Sequence, residues 1–377
     1  MLTIAGEGAV SCGRKGTDAS SCAWPAVCVL PGGRWLCGWR AAPTKTGAAG
    51  QHVMVCRSDD EGRSWSEPEA PFAPLTVGGR PGLFRGIYMT ALGGPRVLAA
   101  LMWTDHSRPD LPFFHPQTQG LLDTRIFLAR SEDAGGTWSR PQMLDASRFD
   151  CPTPITGPVL RLPGGDLLCP FELNKHYEEP GTWRHAPVVM ISTDGGASWP
   201  LHALPARDPS GRLFFWDQRS GVLADGTVLD LFWTYDTVRD GYLNIHASDS
   251  RDGGRSWSAV WDTGLPGQPA QPVSLRDGRI ALAFVDRSGA PSIRMRVSAD
   301  GGRSWPADTE VLIHAPRMAS QLGGKRSMHE AVQEMEKFSV GLPNTAPLEG
   351  GDVLVVYYAG PEADRTDVRW ARVRADG

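Results

Sequence analysis

The chain of 377 residues has no apolar stretch approaching the roughly 18 residues that a membrane-crossing helix needs, so no helical span is expected. It also lacks any cluster of lysine and arginine. With 38 basic and 42 acidic residues and a net charge of −4, it has no electrostatic footprint for nucleic acid. Residues 1–7 show no basic segment leading into an apolar run, so no signal peptide is read and a cytoplasmic location is expected. The seven cysteines (Cys12, Cys22, Cys28, Cys37, Cys56, Cys151 and Cys169) include no pair at zinc-ligand spacing. They are expected to be free thiols in a reducing compartment, and neither metal nor cofactor is predicted.

Glycine (44) and proline (31), by contrast, are abundant and spread along the whole chain, as in a protein of many short strands and turns. The hydrophobic share of 41% is that of an ordinary globular protein and argues against wholesale disorder. One octapeptide, Ser-x-Asp-x-Gly-x-Ser/Thr-Trp, recurs five times. Its copies start at Ser58, Ser131, Ser192, Ser250 and Ser298 and end at Trp65, Trp138, Trp199, Trp257 and Trp305. Each follows an alternating apolar run, which places it on a strand-to-strand turn. The carboxylates of Asp60, Asp133, Asp194, Asp252 and Asp300 can accept turn N–H groups, the glycine supplies positive φ, and the Trp can bury a large face between neighbouring sheets. These roles are structural rather than catalytic.

A second repeat, strand–Gly turn–strand, lies between the boxes at 27–36, 87–98, 159–168, 221–229, 273–280 and 346–354. The result is six units, each an inner hairpin, a third strand, a box turn and a fourth strand. The predicted fold is all-β: a six-bladed β-propeller of four-stranded antiparallel blades forming a single domain over 1–377. Blades are expected at about 21–75, 82–147, 153–206, 215–263, 267–314 and 338–375. The sixth lacks a box and a fourth strand, so residues 1–10 are expected to close it. Residues 325–338 carry Met328, Val332, Met335 and Phe338 at helical spacing and predict one short inserted helix. His329-Glu330 within it has no second His for a metalloprotease site.

Repeated octapeptides of this form, known as Asp-boxes, resemble those of the sialidase superfamily, and the resemblance covers essentially the whole chain. It implies an active site at the centre of the ring on the face away from the boxes. It also implies three arginines on a substrate carboxylate, a Tyr–Glu nucleophile pair and an Asp acid/base. Position by position, the match is poor. Ala23 in Ala23-Trp24-Pro25 stands where the first Arg belongs, Asp217 where the Glu belongs, Trp233 near the second Arg, and Leu342 where the Tyr belongs. Arg287 or Arg294 can stand for the third Arg. The fold carries over, and standard sialidase chemistry does not.

A propeller pocket is lined by residues that begin inner strands and residues that follow second strands. After second strands stand Trp103, Asp105 and His106; Glu172, Asn174, Lys175, His176 and Tyr177; Trp233, Tyr235 and Asp236; Asp286 and Arg287. Before inner strands stand Arg80 and Arg85; Trp216, Asp217, Gln218 and Arg219; Gln268 and Gln271; Asn344. Each has an ordinary structural role as its alternative: loop capping, a local ion pair, or packing between blades. Taken together they suit acid/base work on a sugar, with aromatic faces for stacking.

The reading favours a glycoside hydrolase on a carbohydrate substrate, sialidase-like but not a standard sialidase. The carboxylate pair is Asp217 and Asp105, with Tyr235 or His176 assisting proton transfer. Arg219 and Arg287 are assigned to an anionic group such as a uronate. His106, Glu172, Lys175, Trp103, Trp216, Gln268 and Asp286 complete the binding set. A polysaccharide lyase using His106, His176, Tyr235 and Arg219 stays open, as does a non-catalytic binding propeller. Oligomeric state is not read from the sequence.

Overall fold

The computed structural model describes residues 1–181, 185–316 and 337–375. Within them the chain is all-β, with two three-residue 3-10 turns, Ser147–Phe149 and Ala307–Thr309, as its helical elements. The helix predicted at 325–338 falls largely outside the described residues. No helix among them is long and apolar enough to cross a membrane.

The strands lie in a propeller-like arrangement of antiparallel sheets, each running outward from an inner strand. Four sheets stand separate. One holds Leu75–Val77, Arg80–Gly93, Arg96–Asp105, Thr124–Ser131 and Gln142–Met143. The next holds Leu160–Arg161, Leu167–Leu173, Ala186–Ser192 and Leu201–Ala203. Then come Leu213–Val222, Val228–Asp236, His246–Ser250 and Trp261–Asp262, with Gly241–Tyr242 beside Val228–Asp236. The fourth pairs Gln268–Pro269 and Val273–Ser274 with Ile280–Asp286, followed by Ser292–Ser298 and Val311–His314.

Hydrogen bonding gives five sheets where the sequence predicts six units. The difference has one origin. The first unit (Ser21–Val29, Trp35–Ala42, His52–Ser58) and the last (Val340–Pro347, Val353–Glu362, Arg365–Ala375) form one seven-stranded sheet. They are joined through a single parallel pair, Ser21↔Thr366, reinforced by the Thr366 hydroxyl donating to the Cys22 carbonyl at 2.6 Å. Leu2–Ser11 is the seventh strand and runs antiparallel along Arg365–Ala375, from Leu2↔Ala375 to Ser11↔Val368. That is the partner the sequence assigned to it.

The core forms between sheets. Leu229 and Leu231 of one sheet meet Ile280, Leu282 and Phe284 of the next around the box residue Trp305. Trp199 likewise joins a cluster holding Leu98, Ala100, Leu167 and Phe171 from two sheets. Each box folds onto itself as expected. In the first, Asp60 accepts from the Ser58 hydroxyl (2.9 Å), the Ser64 N–H (2.9 Å) and the Ser64 hydroxyl (2.6 Å). The Ser64 hydrogen bonds hold the Asp60 carboxyl down at about 2.

Polar side chains on inner strands reach across to neighbouring units. The Gln218 amide donates to the Phe171 and Val188 carbonyls, Asn344 donates to Gln271 (2.8 Å), and Val27 N–H donates to Asn344 (2.8 Å). Such links pair the Gln218 amide nitrogen and the Asn344 amide and tie neighbouring units to one another. Gln218, Gln271 and Asn344, read from the sequence as rim residues, are placed among these links. The cysteines are free thiols, with Cys22, Cys28, Cys37, Cys56 and Cys169 buried.

Candidate active site

Three inner strands share one irregularity. Pairing slips between Ala23 and Ala26, between Trp216 and Arg219, and between Gly341 and Asn344. Inside these slips Trp24, Asp217 and Leu342 adopt positive φ, at 53°, 48° and 42°. Aspartate tolerates this region, whereas Trp and Leu are strained there. A bulge breaks the in–out alternation of a strand and re-aims a side chain. All three residues line the same cavity of about 220 Å³. In Arg80–Gly93 a fourth slip, between Phe84 and Gly86, contains Arg85, which lines it as well.

The cavity walls are aromatic, with Trp24, Trp216, Trp233, Phe113, Phe114 and Phe338. Its charges are Lys45, Arg85, Arg219 and Arg287 against Glu172 and Asp217. Arg219 pairs with Asp217 at 2.7 Å and donates to the Tyr88 phenol at 3.0 Å. The Gln268 amide donates to the other Asp217 oxygen, and its carbonyl accepts from Arg287 at 2.9 Å. Arg287 also donates to the Val340 carbonyl at 3.0 Å and stands 4.1 Å from the centre of the Phe338 ring. Lys45 bonds the Phe338 carbonyl and the Tyr358 hydroxyl (3.2 Å). Arg85 lies over Trp24 and Phe113, 4.7 and 4.3 Å from the ring centres.

Asp217 is held from behind by Glu172, which accepts its backbone N–H and also faces His185 at 3.3 Å. The Asp217 side chain keeps 21% of its surface exposed and borders the cavity. Burial, reinforced by the negative charge of Glu172, pushes its carboxyl up to about 6 against the opposing pull of Arg219, Gln268 and Arg287. Burial likewise raises the Tyr88 and Tyr358 phenols, although a guanidinium adjoins each. A carboxyl poised near 6 beside a cationic, aromatic pocket can transfer a proton to or from a sugar oxygen.

The cavity thus gathers Asp217, Glu172, Trp216, Arg219, Gln268 and Arg287, along with Arg85, Asn174 and Trp233. It does not gather the others. Asp105 pairs with Arg80 at 2.9 Å in a separate cleft that His176 and Tyr177 also line. His176 Nε2 is 2.8 Å from the Asp150 carbonyl. His106 is half-buried beside Asp105, its backbone N–H on the Pro81 carbonyl. Lys175 donates to the Gly181 carbonyl at 2.7 Å. Trp103 is buried in the core with its indole N–H on the Leu75 carbonyl. Tyr235 is fully buried behind Trp216, their ring centres 5.7 Å apart, and bonds Asp240 at 3.3 Å. Asp236 pairs with Arg212, Arg294 with Glu310, and Asp286 accepts from Ser288. Apart from His106, whose bond is made by its backbone, a closer polar partner or the core claims the side chain.

The sequence reading missed Trp24, Lys45, Tyr88, Tyr358, Phe113, Phe114 and Phe338. Tyr358 had a usable signal, because it stands on the second strand of the sixth unit opposite Gly341, just before the slip, as Trp233 stands opposite Trp216. Trp24 was passed over for Ala23, which is buried and outside the cavity lining; the bulge, not the tripeptide, decides which residue turns inward. Lys45 lies on a loop with no strand to give it a register. Among the described residues no group of three or more His, Cys, Asp or Glu is placed to hold a metal.

Comparison with known proteins agrees with the fold. Two curated sialidases are similar in sequence. That of Bacteroides fragilis is 23% identical over 305 residues, covering 70% of this chain and 50% of its own. That of Micromonospora viridifaciens is 26% identical over 203 residues, covering 48% of this chain and 31% of its own. The chain therefore spans half or less of the length of these relatives. Among solved structures, a Dyadobacter fermentans protein of unknown function superposes with a TM-score of 0.76 at 18% identity, over 100% of this chain and 99% of that one. The Ruminococcus gnavus intramolecular trans-sialidase gives 0.66 at 12% identity, with 96% of each chain covered. A Penicillium chrysogenum α-L-arabinanase gives 0.64 at 16% identity, with 98% of each chain covered. The BNR repeat-like domain matches residues 110–355, more than half of the sequence. The chain belongs to the BNR repeat-like family of the sialidase superfamily.

Proposed function

We propose that the protein is a glycoside hydrolase acting on an anionic sugar, with Asp217 as the general acid. The observation that carries this reading is the placement of Asp217. A bulge sets it at the cavity wall, Glu172 and Arg219 fix it, and its carboxyl lies near 6, high enough to be protonated in mildly acidic conditions. Lys45, Arg85 and Arg287 supply positive charge for a carboxylate on the sugar, and Trp24, Trp216 and Trp233 offer faces to its ring. The sequence-based pairing of Asp217 with Asp105 is replaced by Asp217 with Glu172, because Asp105 lies in another cleft. The sialidases among the relatives support an anionic glycan as substrate class. We also count the domain as six blades, taking the seven-stranded sheet as two blades bridged at Ser21 and Thr366.

The test is hydrolysis of sialosides and glucuronides by the wild type and by Asp217→Asn. The substitution is expected to lower kcat/KM by about 10²–10⁴-fold with the fold retained. Full activity in Asp217→Asn would remove Asp217 from the mechanism. A uronate lyase is the second reading, favoured by the two phenols that adjoin guanidinium groups, Tyr88 at Arg219 and Tyr358 at Arg287. An unsaturated product absorbing in the ultraviolet would select it. Binding without turnover of any substrate would select a non-catalytic module.

A further inference from the structure

Between the strands Arg96–Asp105 and Thr124–Ser131 the chain takes a long path through residues 106–123. The same connection beyond Ile280–Asp286 takes only residues 287–291. Part of the extra length is a hairpin. Phe114 and Leu121 form an antiparallel bridge, the His115 N–H donates to the Gly120 carbonyl at 2.8 Å, and the Leu122 N–H donates to the Phe113 carbonyl at 3.1 Å. The hairpin is docked on the next unit. Leu121 bridges His176 in parallel, its N–H donates to the Lys175 carbonyl at 3.0 Å, and the Thr118 hydroxyl donates to the Tyr177 carbonyl. At Gly120 an added Cβ would lie 2.0 Å from the His176 carbonyl oxygen, so the two segments approach this closely only through glycine.

The hairpin faces the central cavity, which Phe113, Phe114 and Leu121 all line. Phe113 packs with the cluster of Tyr88 and Ile155, its ring centre 4.3 Å from the Arg85 guanidinium. Phe114, edge-on to Phe113 at 5.2 Å, packs instead with the cluster of Trp216, Trp233 and Phe338. The two rings thus fill space against two walls. What is left is about 220 Å³, below the roughly 300–1,000 Å³ of most ligand sites.

Size and polarity then discriminate among anionic sugars. A six-carbon uronate is a ring with its carboxylate directly attached. It needs one charged contact, from Lys45, Arg85 or Arg287, and a ring face for the tryptophans. A nine-carbon sugar acid adds a glycerol tail and an acetamido group, whose donors and acceptors lose water on burial. The wall of Phe113, Phe114, Leu121, Pro154 and Ile155 has no side-chain hydrogen-bonding group to replace that water. Trp24 and Leu342, set at their bulges, narrow the space further.

We infer that the cavity selects a hexuronate over a nine-carbon sugar acid, and that the hairpin carrying Phe113 and Phe114 sets this choice. The inference rests on the reading of the cavity as the site of an anionic sugar. It does not depend on the role of Asp217 in bond cleavage.

The test is calorimetric titration of the wild type with D-glucuronic acid, D-galacturonic acid and N-acetylneuraminic acid. One of the uronates is expected to bind at least about tenfold more tightly than N-acetylneuraminic acid. Phe114→Ala removes a ring from the wall, and Gly120→Ala, outside the cavity lining, lifts the hairpin off the His176 carbonyl. In whichever variant keeps the wild-type circular dichroism spectrum, that ratio should fall at least about threefold as N-acetylneuraminic acid gains affinity. A smaller wild-type ratio, or no binding of either uronate, overturns the inference. A ratio that holds in every folded variant overturns the part of the hairpin in it, and if neither variant folds the wild-type ratio decides. Uronate preference with no glucuronide cleaved overturns the hydrolase reading and leaves the selection standing. Preference for N-acetylneuraminic acid with sialosides cleaved does the reverse.

Discussion

Asp217 combines three constraints in one residue: a left-handed backbone, an N–H claimed by Glu172 and a carboxylate claimed by Arg219 and Gln268. Its raised carboxyl has a consequence for activity and one for stability. In the proposed role of general acid it must be protonated, so kcat/KM should be flat below about 6 and fall about tenfold per pH unit above it. A profile that rises through 6 would instead make it the base. For stability, a carboxyl whose folded value exceeds its unfolded value of about 3.9 binds more protons folded than unfolded between those values. Its contribution is most favourable below the unfolded value and is lost as pH climbs to about 6. Asp217→Asn should therefore match or exceed the wild-type melting temperature at pH 7 in calorimetry. Gly341 is the second residue of consequence. An added Cβ would sit 1.9 Å from an Arg287 terminal nitrogen and 3.0 Å from the Tyr358 hydroxyl. Gly341→Ala should push Arg287 aside and weaken binding of the proposed anionic sugar about tenfold or more, read by titration, while the circular dichroism spectrum stays unchanged.

At the scale of elements, the box turn is a self-contained device. Serine at the start, aspartate two residues on and a hydroxyl four residues after that close a small hydrogen-bonded ring, repeated from Asp60 to Asp300. The ring holds the turn while the Trp leaves it to pack between sheets, as Trp305 does against Leu229 and Leu282. In the fourth copy, the Ser256 hydroxyl and further hydrogen bonds keep the Asp252 carboxyl down at about 2. A depressed value means the stabilisation is complete above the unfolded value of about 3.9 and is lost as pH falls through about 2. Asp252→Ala should lower the melting temperature at pH 7, and the gap to wild type should narrow at pH 3. An equal gap at both values would show that the turn is held by something other than the ionised carboxylate. The inner strands follow a different rule. Their bulges disturb an otherwise regular ladder and lie next to the cavity, the usual location of such irregularities near active sites.

For the whole molecule, the meeting of the chain ends matters most. Leu2–Ser11 covers the outer edge of Arg365–Ala375 and lays Gly6 and Gly8 against the Trp370 ring. It buries Leu2 and Val10, and burying such side chains is worth about 1.5–3 kcal/mol each. Removal of residues 1–11 should lower the melting temperature by at least about 5 °C and expose a long strand edge prone to pairing with a second copy. Scanning calorimetry and light scattering would show both effects. An unchanged melting temperature would mean that the last sheet is complete without this strand. The hydrogen bonds of Gln218, Gln271 and Asn344 link neighbouring units, and residues from distant parts of the sequence, such as Lys45, Asp217 and Tyr358, meet around one space.

The sequence by itself determined the architecture, because the boxes and Gly-turn hairpins are local. Hydrogen bonds within eight residues make each box, and strict in–out alternation makes each strand legible wherever it holds. It also marked Asp217, Arg219 and Arg287 as candidates, along with Asp105 and His176, from the positions a propeller turns inward. Only the tertiary structure decided the rest. Asp105 and His176 were read at the same rim, but Asp105 pairs with Arg80 and His176 lies against the Asp150 carbonyl, in another cleft. Trp24 enters the cavity because a bulge shifts its strand by one residue, and a one-residue shift reverses which face a side chain takes. Lys45 and Phe338 arrive from loops whose path depends on contacts across hundreds of residues, such as the Lys45 ammonium on the Phe338 carbonyl. Periodicity can carry a register along a strand, but it cannot carry one through a bulge or a loop.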